Sequence, residues 1–163
     1  INGQEHPLNT EEVPLKSGYV CIDREWNDGD VVVLNLDMSI NRVYSHPKVK
    51  SNRGKVAIQR GPIVYCLENV NNLENFETLS LQCDKKLKPM HNDSLDREMG
   101  VISLEADALI QTFTQKSKDE SLYIYKKDSE KRTTMEEVKI ELIPYYCWGN
   151  RGKHSMKVWI NEK

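Results

Sequence analysis

The sequence predicts an all-β fold, an antiparallel β-sandwich of the jelly-roll-like type. No stretch keeps apolar residues at i, i+3, i+4 and i+7 over three turns, so helix should be scarce. Short apolar alternations recur along the chain and are separated by turn signals, as is typical of strands. At the centre, the apolar runs Val56–Ile58 and Ile63–Leu67 flank Gly61-Pro62, a pair that indicates a corner between two strands.

Length and charge limit the class of protein. With 163 residues the chain holds one domain or two small ones. Its formal net charge of −2 supplies no basic field, so we expect no nucleic-acid partner and no anionic membrane surface. No apolar run approaches the ~20 residues that span a bilayer. The chain opens on Ile1-Asn2-Gly3 without a methionine or a leader-like segment, and we therefore expect it to be a piece of a longer protein.

The first predicted element is a hairpin between Gly18 and Tyr44. Gly18–Trp26 is its first strand, and Asn27-Asp28-Gly29-Asp30 is its turn, because Asp-Gly accepts positive φ at little cost. Residues 31–40 alternate cleanly and form the second strand. The apolar residues that this strand presents on one face are Val32, Leu34, Leu36, Met38 and Ile40. Because a lone hairpin is marginal in water, we expect this face to pack on another sheet or on a neighbouring chain.

A polar stretch with few apolar anchors follows the hairpin and predicts a domain boundary, with residues 1–46 and 47–163 on its two sides. After the Gly61-Pro62 corner, Ile63–Leu67 carries no charge and is expected to be buried on both faces. The segment Lys85–Glu98 is predicted to be a charged connection. Further short strands are predicted at residues 78–83, 101–109, 122–125, 138–142 and 156–160.

The four cysteines are interpreted as plain thiols. They form no C-x-x-C pair and have no histidine at metal-like spacing, although one structural disulfide remains an alternative. Their positions are Cys21, Cys66, Cys83 and Cys147.

Two carboxylate pairs of the predicted hairpin are candidates for the acids of a glycosidase. Asp23 with Glu25, and Asp28 with Asp30, lie beside and within the predicted turn. We therefore interpret them as a solvated face and as turn residues, although glycosidases do use two facing carboxylates. A free-standing hydrolase would need a cleft with converging carboxylates.

The sequence offers one candidate binding site. Tyr145, Tyr146 and Trp148 cluster just before Gly149-Asn150-Arg151-Gly152. Exposed rings can stack on the apolar C–H face of a sugar, which makes these three residues candidate carbohydrate contacts. The alternative is that the rings close the core of the sandwich, where each would bury roughly 150–250 Å².

Three motifs together resemble one family. They are Gly18-Tyr19-Val20-Cys21-Ile22-Asp23-Arg24-Glu25-Trp26-Asn27-Asp28-Gly29-Asp30, the central stretch through Tyr65-Cys66-Leu67-Glu68, and Ile143-Pro144-Tyr145-Tyr146-Cys147-Trp148-Gly149-Asn150-Arg151-Gly152 running into Met156–Ile160. This set is similar to the C-terminal part of glycoside hydrolase family 127, which is typified by bacterial β-L-arabinofuranosidases. The resemblance spans most of the chain and is weakest over residues 70–135.

The resemblance implies that the chemistry lies elsewhere. In the family an (α/α)6 barrel precedes this region and performs a retaining hydrolysis with a Cys nucleophile and a zinc site of Cys and Glu side chains. The nucleophile belongs to a paired-Cys motif, and this chain has no adjacent cysteines. No catalytic, cofactor-binding or metal residue is therefore assigned here, and zinc is expected in the missing catalytic domain.

The family also implies two β-sandwiches after the barrel. Residues 1–46 would be the incomplete end of the first, and residues 47–163 would be the second. We expect a non-catalytic accessory region that braces the catalytic barrel or forms a homodimer contact, in either the bacterial cytoplasm or the periplasm. A carbohydrate-binding module that uses Tyr145, Tyr146 or Trp148 is the alternative.

Overall fold

The computed structural model describes residues 1–7, 15–70, 76–95, 100–113 and 133–163. In these residues the only helical segments are three single 3₁₀ turns, which confirms the all-β class. None of the described residues lies in a helix with the length and hydropathy that a membrane span requires. In chain order the strands are β1 Leu15–Lys16, β2 Tyr19–Val20, β3 Ile40–Val43, β4 Lys55–Arg60, β5 Ile63–Glu68, β6 Ser80–Leu81, β7 Lys88–Asn92, β8 Val101–Phe113, β9 Thr133–Pro144, β10 Met156–Lys157 and β11 Ile160–Glu162.

The chain divides into two compact units, residues 1–37 and residues 38–163. The predicted domain boundary after residue 46 stays a prediction, since a compact unit need not coincide with a domain. In the first unit, β1 and β2 form a small antiparallel hairpin. Its turn residues Ser17 and Gly18 both have positive φ, 51° and 84°, a conformation that matches the twist of paired strands.

Asp30 organises the turn that the Asp-Gly signal predicted. Its carboxylate accepts hydrogen bonds from the Asn27 backbone N–H at 2.9 Å and from the Asn2 side chain at 2.7 Å. These bonds, the Asn27 contact first, hold the pKa of the Asp30 carboxyl below its usual range. The interpretation of Asp30 as a turn residue is thereby confirmed.

The hairpin predicted around this turn is wrong. Residues 21–39 form no strand, and of the predicted second strand, residues 31–40, only Ile40 lies in a strand, β3, which pairs with β4. Val32, Leu34 and Leu36 are 53%, 66% and 55% exposed, whereas Ile40, at the end of the same predicted face, packs against the core of the second unit. Cover by a neighbouring chain stays a prediction.

The second unit is built on a closed β-barrel. Its six strands follow one another in the order β4, β5, β9, β8, β6 and β11, and β11 pairs with β4 to close the ring. All these pairs are antiparallel except β6 with β11, which is parallel. The predicted antiparallel sandwich is therefore wrong. Three further strands extend the ladder beyond the ring, with β3 beside β4, β7 beside β8 and β10 beside β5.

The central stretch has the predicted corner, but only part of its second run is buried, since Val64 is 41% exposed and Ile63 is partly buried. Gly61, with a φ of 54°, makes the corner between β4 and β5, a conformation that favours glycine. The last four residues of β5, Tyr65–Glu68, are all buried. They alternate between two apolar clusters, since Tyr65 and Leu67 point into the barrel while Cys66 points to a smaller cluster outside it. Burial on both faces explains why this run carries no charge before Glu68.

The barrel interior is filled by its own side chains. The apolar residues that share this core and are almost fully buried are Val56, Ile58, Tyr65, Leu79, Leu81, Leu104, Ala108, Leu142 and Ile160. The one hydroxyl among them is satisfied, because Tyr65 Oη donates to the Ile102 carbonyl at 2.7 Å. A small barrel packed in this way has a solid core and offers a ligand only its outer surface.

Several strand bounds differ from the sequence prediction. β8 and β9 are longer than predicted and pair continuously from Leu104 with Leu142 to Phe113 with Thr133. β7 lies inside the segment that was predicted to be a connection. Its Pro89 is exposed on an edge strand, where a missing backbone N–H costs no ladder bond. The strand predicted at residues 122–125 lies outside the described residues.

Candidate functional site

The candidate aromatic residues follow the end of β9, which lies beside the first half of β5. Tyr65 is paired with Pro144, the last residue of β9. A 3₁₀ turn, Tyr145–Cys147, follows at once, and the Trp148 N–H donates to the Tyr145 carbonyl at 3.1 Å. Side chains at i and i+3 eclipse in a 3₁₀ turn. Tyr145 and Trp148 therefore project together, which the sequence alone could not show.

The rings point to solvent. Tyr145, Tyr146 and Trp148 are 47%, 64% and 43% exposed, so the alternative that they close the core is wrong. The rings of Tyr145 and Trp148 are stacked, with their centroids 6.3 Å apart and their planes 27° from parallel. The residue between them that is buried is Cys147. The Cys147 side chain therefore packs inside the protein and fixes the turn, whereas the three aromatic rings lie at the surface.

The anchor beneath the turn is a small apolar cluster outside the barrel. Cys147 packs there with Cys66, Val101 and Ile143. Burial, helped by the nearby Glu68 carboxylate, raises the pKa of the Cys66 thiol to about 12. Cys66 is therefore a neutral thiol near pH 7, which makes it a packing residue and a poor nucleophile. All four cysteines are free thiols.

The loop after the rings is held by an ion pair between a buried carboxylate and a partly exposed arginine. The Glu68 side chain is fully buried, and its Oε2 accepts hydrogen bonds from Arg151 Nη2 at 2.7 Å and Nε at 3.0 Å. Its Oε1 accepts the backbone N–H of Gly149 at 3.2 Å. Charge-assisted bonds of this kind are the strong ones. One carboxylate at the end of β5 therefore holds both ends of the segment 149–151.

An open groove of about 580 Å³ runs beside Trp148. The residues that line it are Trp148, Gly149, Gly152, Lys153, His154 and Ser155. Gly152 has a φ of 113°, a conformation that a residue with a side chain rarely adopts. His154 is kept at the groove by a 3.2 Å contact between its Nε2 and the Arg151 carbonyl. The groove thus offers one flat ring, several polar groups and little steric obstruction.

The groove carries a positive charge. Its lining includes no Asp or Glu, and the nearby Arg151 is neutralised by Glu68. Among the described residues Lys153 makes no ion pair, so its ammonium group is available to a ligand. The arrangement can therefore hold a molecule that combines a flat apolar face with an anionic or hydrogen-bond-accepting group.

The described residues do not fit a zinc site. They bring no three His, Cys, Asp or Glu side chains together at a distance suited to a metal ion. We therefore derive no chemical step through a metal in this chain.

Sequence reasoning found the three aromatic residues but missed Glu68, Arg151 and Lys153. Glu68 and Arg151 lie 83 positions apart, so no local pattern links them. The signal that could have found them is the pairing of β5 with β10, which places Met156 opposite Glu68 and so brings the loop before β10 to the end of β5.

The comparisons with known proteins agree with one another. The family model for the glycoside hydrolase family 127 C-terminal domain matches residues 40–161. The chain is 29% identical over 154 residues to a non-reducing end β-L-arabinofuranosidase of Bifidobacterium longum subsp. longum, covering 89% of this chain and 21% of that protein. The chain therefore spans about a fifth of the length of this curated relative.

Two solved structures are similar to the chain. A family 127 β-arabinofuranosidase matches with a TM-score of 0.71 and 32% identity, over 99% of this chain and 22% of that chain. A family 127 β-L-arabinofuranosidase from Geobacillus stearothermophilus T6 matches with a TM-score of 0.60 and 39% identity, over 77% of this chain and 18% of that chain. The resemblance inferred from the sequence motifs is confirmed.

Proposed function

Since this chain belongs to glycoside hydrolase family 127, we propose that it is a non-catalytic part of a bacterial arabinofuranosidase-type enzyme and braces the catalytic portion. The observation that carries this proposal is the filled barrel interior. Because side chains occupy this interior, the domain can contact a partner or a ligand only through its outer surface. The partner would be the (α/α)6 barrel that the family resemblance implies, with the nucleophile and the zinc on that partner.

The first unit supports the same role. Val32, Leu34 and Leu36 are exposed and lie in one segment. Contiguous exposed apolar residues are typical of surfaces that another domain or subunit covers. Because the matched relatives are four to five times longer than this chain, a preceding part of such an enzyme is the proposed cover.

An activity assay tests the non-catalytic part of the proposal. The full 163-residue chain is incubated with a para-nitrophenyl β-L-arabinofuranoside, with and without a chelator and a thiol-blocking reagent. The expected result is no turnover above the buffer rate. Turnover that the thiol reagent or the chelator abolishes would show that this chain itself is a hydrolase and would overturn the proposal.

A truncation tests the bracing role. In the Bifidobacterium relative, the region that matches this chain is deleted, and the midpoint of thermal unfolding and the soluble yield are measured. A brace predicts a lower midpoint or a loss of soluble protein, because apolar surface on the catalytic portion loses its cover. An unchanged midpoint with full soluble yield would contradict it.

A second function, contact with carbohydrate, is favoured by the exposed ring pair beside the groove. The test is calorimetric titration of the full chain with arabino-oligosaccharides. Trp148→Ala should weaken binding about tenfold or more, because stacking on this ring is lost. Trp26→Ala is the matched control, since Trp26 is 50% exposed and lies in the first unit. Equal affinity of the Trp148→Ala and Trp26→Ala variants for the oligosaccharide would contradict the proposed carbohydrate contact.

A further inference from the structure

We propose that the groove beside Trp148 binds a sugar that carries a carboxylate, with the apolar face of its ring on Trp148 and its carboxylate at Lys153. The inference rests on the carbohydrate contact proposed above and narrows it to uronic acid residues of a polysaccharide. The argument depends on the charges, the shape and the rigidity of the groove.

The charge of the groove favours an anionic ligand. Three cations lie in or near the segment 151–157, and two of them are already paired. Arg151 is bound to Glu68, and Lys157 lies 2.7 Å from Glu77. Lys153 is left with no ion pair among the described residues, and it lines the groove. This local excess of positive charge stands out on a chain with a net charge of −2.

The chemistry of the lining favours a sugar over a simple anion. A uronate has a carboxylate fixed to a ring whose C–H face is apolar, so one residue can contact an aromatic ring and an ammonium group together. Ser155 and His154 add hydroxyl and imidazole groups along the same groove, suited to the hydroxyls of a sugar. Inorganic phosphate would use Lys153 but would gain nothing from Trp148.

The groove is formed before any ligand arrives. Glu68 holds Arg151 and the Gly149 N–H from a fully buried position, and Trp148 is stacked on Tyr145. A preorganised site loses little conformational freedom on binding, so weak contacts can still give measurable affinity. The ion pair at Glu68 therefore acts as a positioning element beneath the proposed site.

The experiment compares two forms of one ligand. The full chain is titrated with a galacturonate trisaccharide and with the same trisaccharide methyl-esterified at every carboxyl group. At low salt the acidic form should bind about fivefold tighter, as a single exposed charge pair allows. Added NaCl should reduce this preference, because salt screens exposed charges. Lys153→Gln should abolish the preference, whereas Lys86→Gln, a change at an exposed lysine outside the groove, should preserve it.

The outcomes separate this inference from the carbohydrate contact on which it rests. If Trp148→Ala weakens both forms but Lys153→Gln leaves their ratio unchanged, the uronate assignment is overturned and the carbohydrate contact stands. If neither form binds but arabino-oligosaccharides do, the uronate assignment alone is overturned. If neither the two forms nor arabino-oligosaccharides bind, the carbohydrate contact is overturned as well. If inorganic phosphate displaces the acidic trisaccharide at equal concentration, the groove is a general anion site, and the assignment to a sugar is wrong.

Discussion

Residues 31–37 and residues 56–67 are both rich in apolar side chains, but they adopt different structures. The first segment places apolar residues at every second position, Val32, Leu34 and Leu36, yet it forms no strand and keeps these three exposed. The second is interrupted by Gly61-Pro62, yet both of its halves become strands of the closed barrel. The difference lies in the partners available, because a strand is stabilised by the strands beside it and by the surface that covers its apolar face.

The largest effect is expected from a substitution that creates a cavity in the barrel core. Leu142 is fully buried, so Leu142→Ala should lower the free energy of unfolding by about 2–5 kcal/mol. Leu34→Ala removes the same atoms from a side chain that is 66% exposed, and it should change that free energy by less than about 0.5 kcal/mol. Chemical denaturation of both variants measures the contrast. A comparable loss for Leu34→Ala would mean that the first segment is covered in solution.

A second test moves from the barrel interior to the end of β5. Glu68→Ala leaves Arg151 without its carboxylate and should cost about 1–3 kcal/mol, because the pair is buried and hydrogen-bonded. The matched control is Glu105→Ala, whose partner Lys139 is largely exposed, and its effect should be much smaller. Denaturation in urea gives both values. Equal decreases in the free energy of unfolding would show that the ion pair at Glu68 stabilises the fold no more than a surface ion pair does.

A third effect concerns pH. Burial raises the folded-state pKa of Cys66 from 9.0 to about 12, so above pH 9 the unfolded chain loses a proton that the folded chain keeps. Stability should therefore fall as the pH rises from about 9 to 12, a range in which the raised pKa values of Tyr44 and Tyr65 add to the slope. Cys66→Ala should flatten the slope, and Cys83→Ala, at an exposed thiol, should not. Denaturation midpoints across this pH range provide the measurement, and an unchanged slope for Cys66→Ala would refute this origin.

Some residues of the candidate site could be predicted from the sequence, and others could be identified only from the structure. Tyr145, Tyr146 and Trp148 could be picked out because aromatic residues beside glycines are visible in the sequence. Their exposure could not be predicted, because it depends on Cys147 taking the buried position of the 3₁₀ turn. The role proposed for Lys153 depends on a residue that is distant in the sequence. Glu68 forms an ion pair with Arg151, and Lys153 is then the lysine of the groove that makes no ion pair among the described residues.

The sequence by itself determined the all-β class, the corner at Gly61, the burial of Tyr65–Leu67 and the family, because these depend on local backbone preferences, short-range periodicity and motifs. The tertiary structure alone decided that the strands close into a barrel, through the short parallel pairing of β6 with β11. A sandwich and a barrel bury one face of each strand in the same alternating pattern, so their sequences look alike. Closure depends on which strand edges meet, and that is a property of the whole chain.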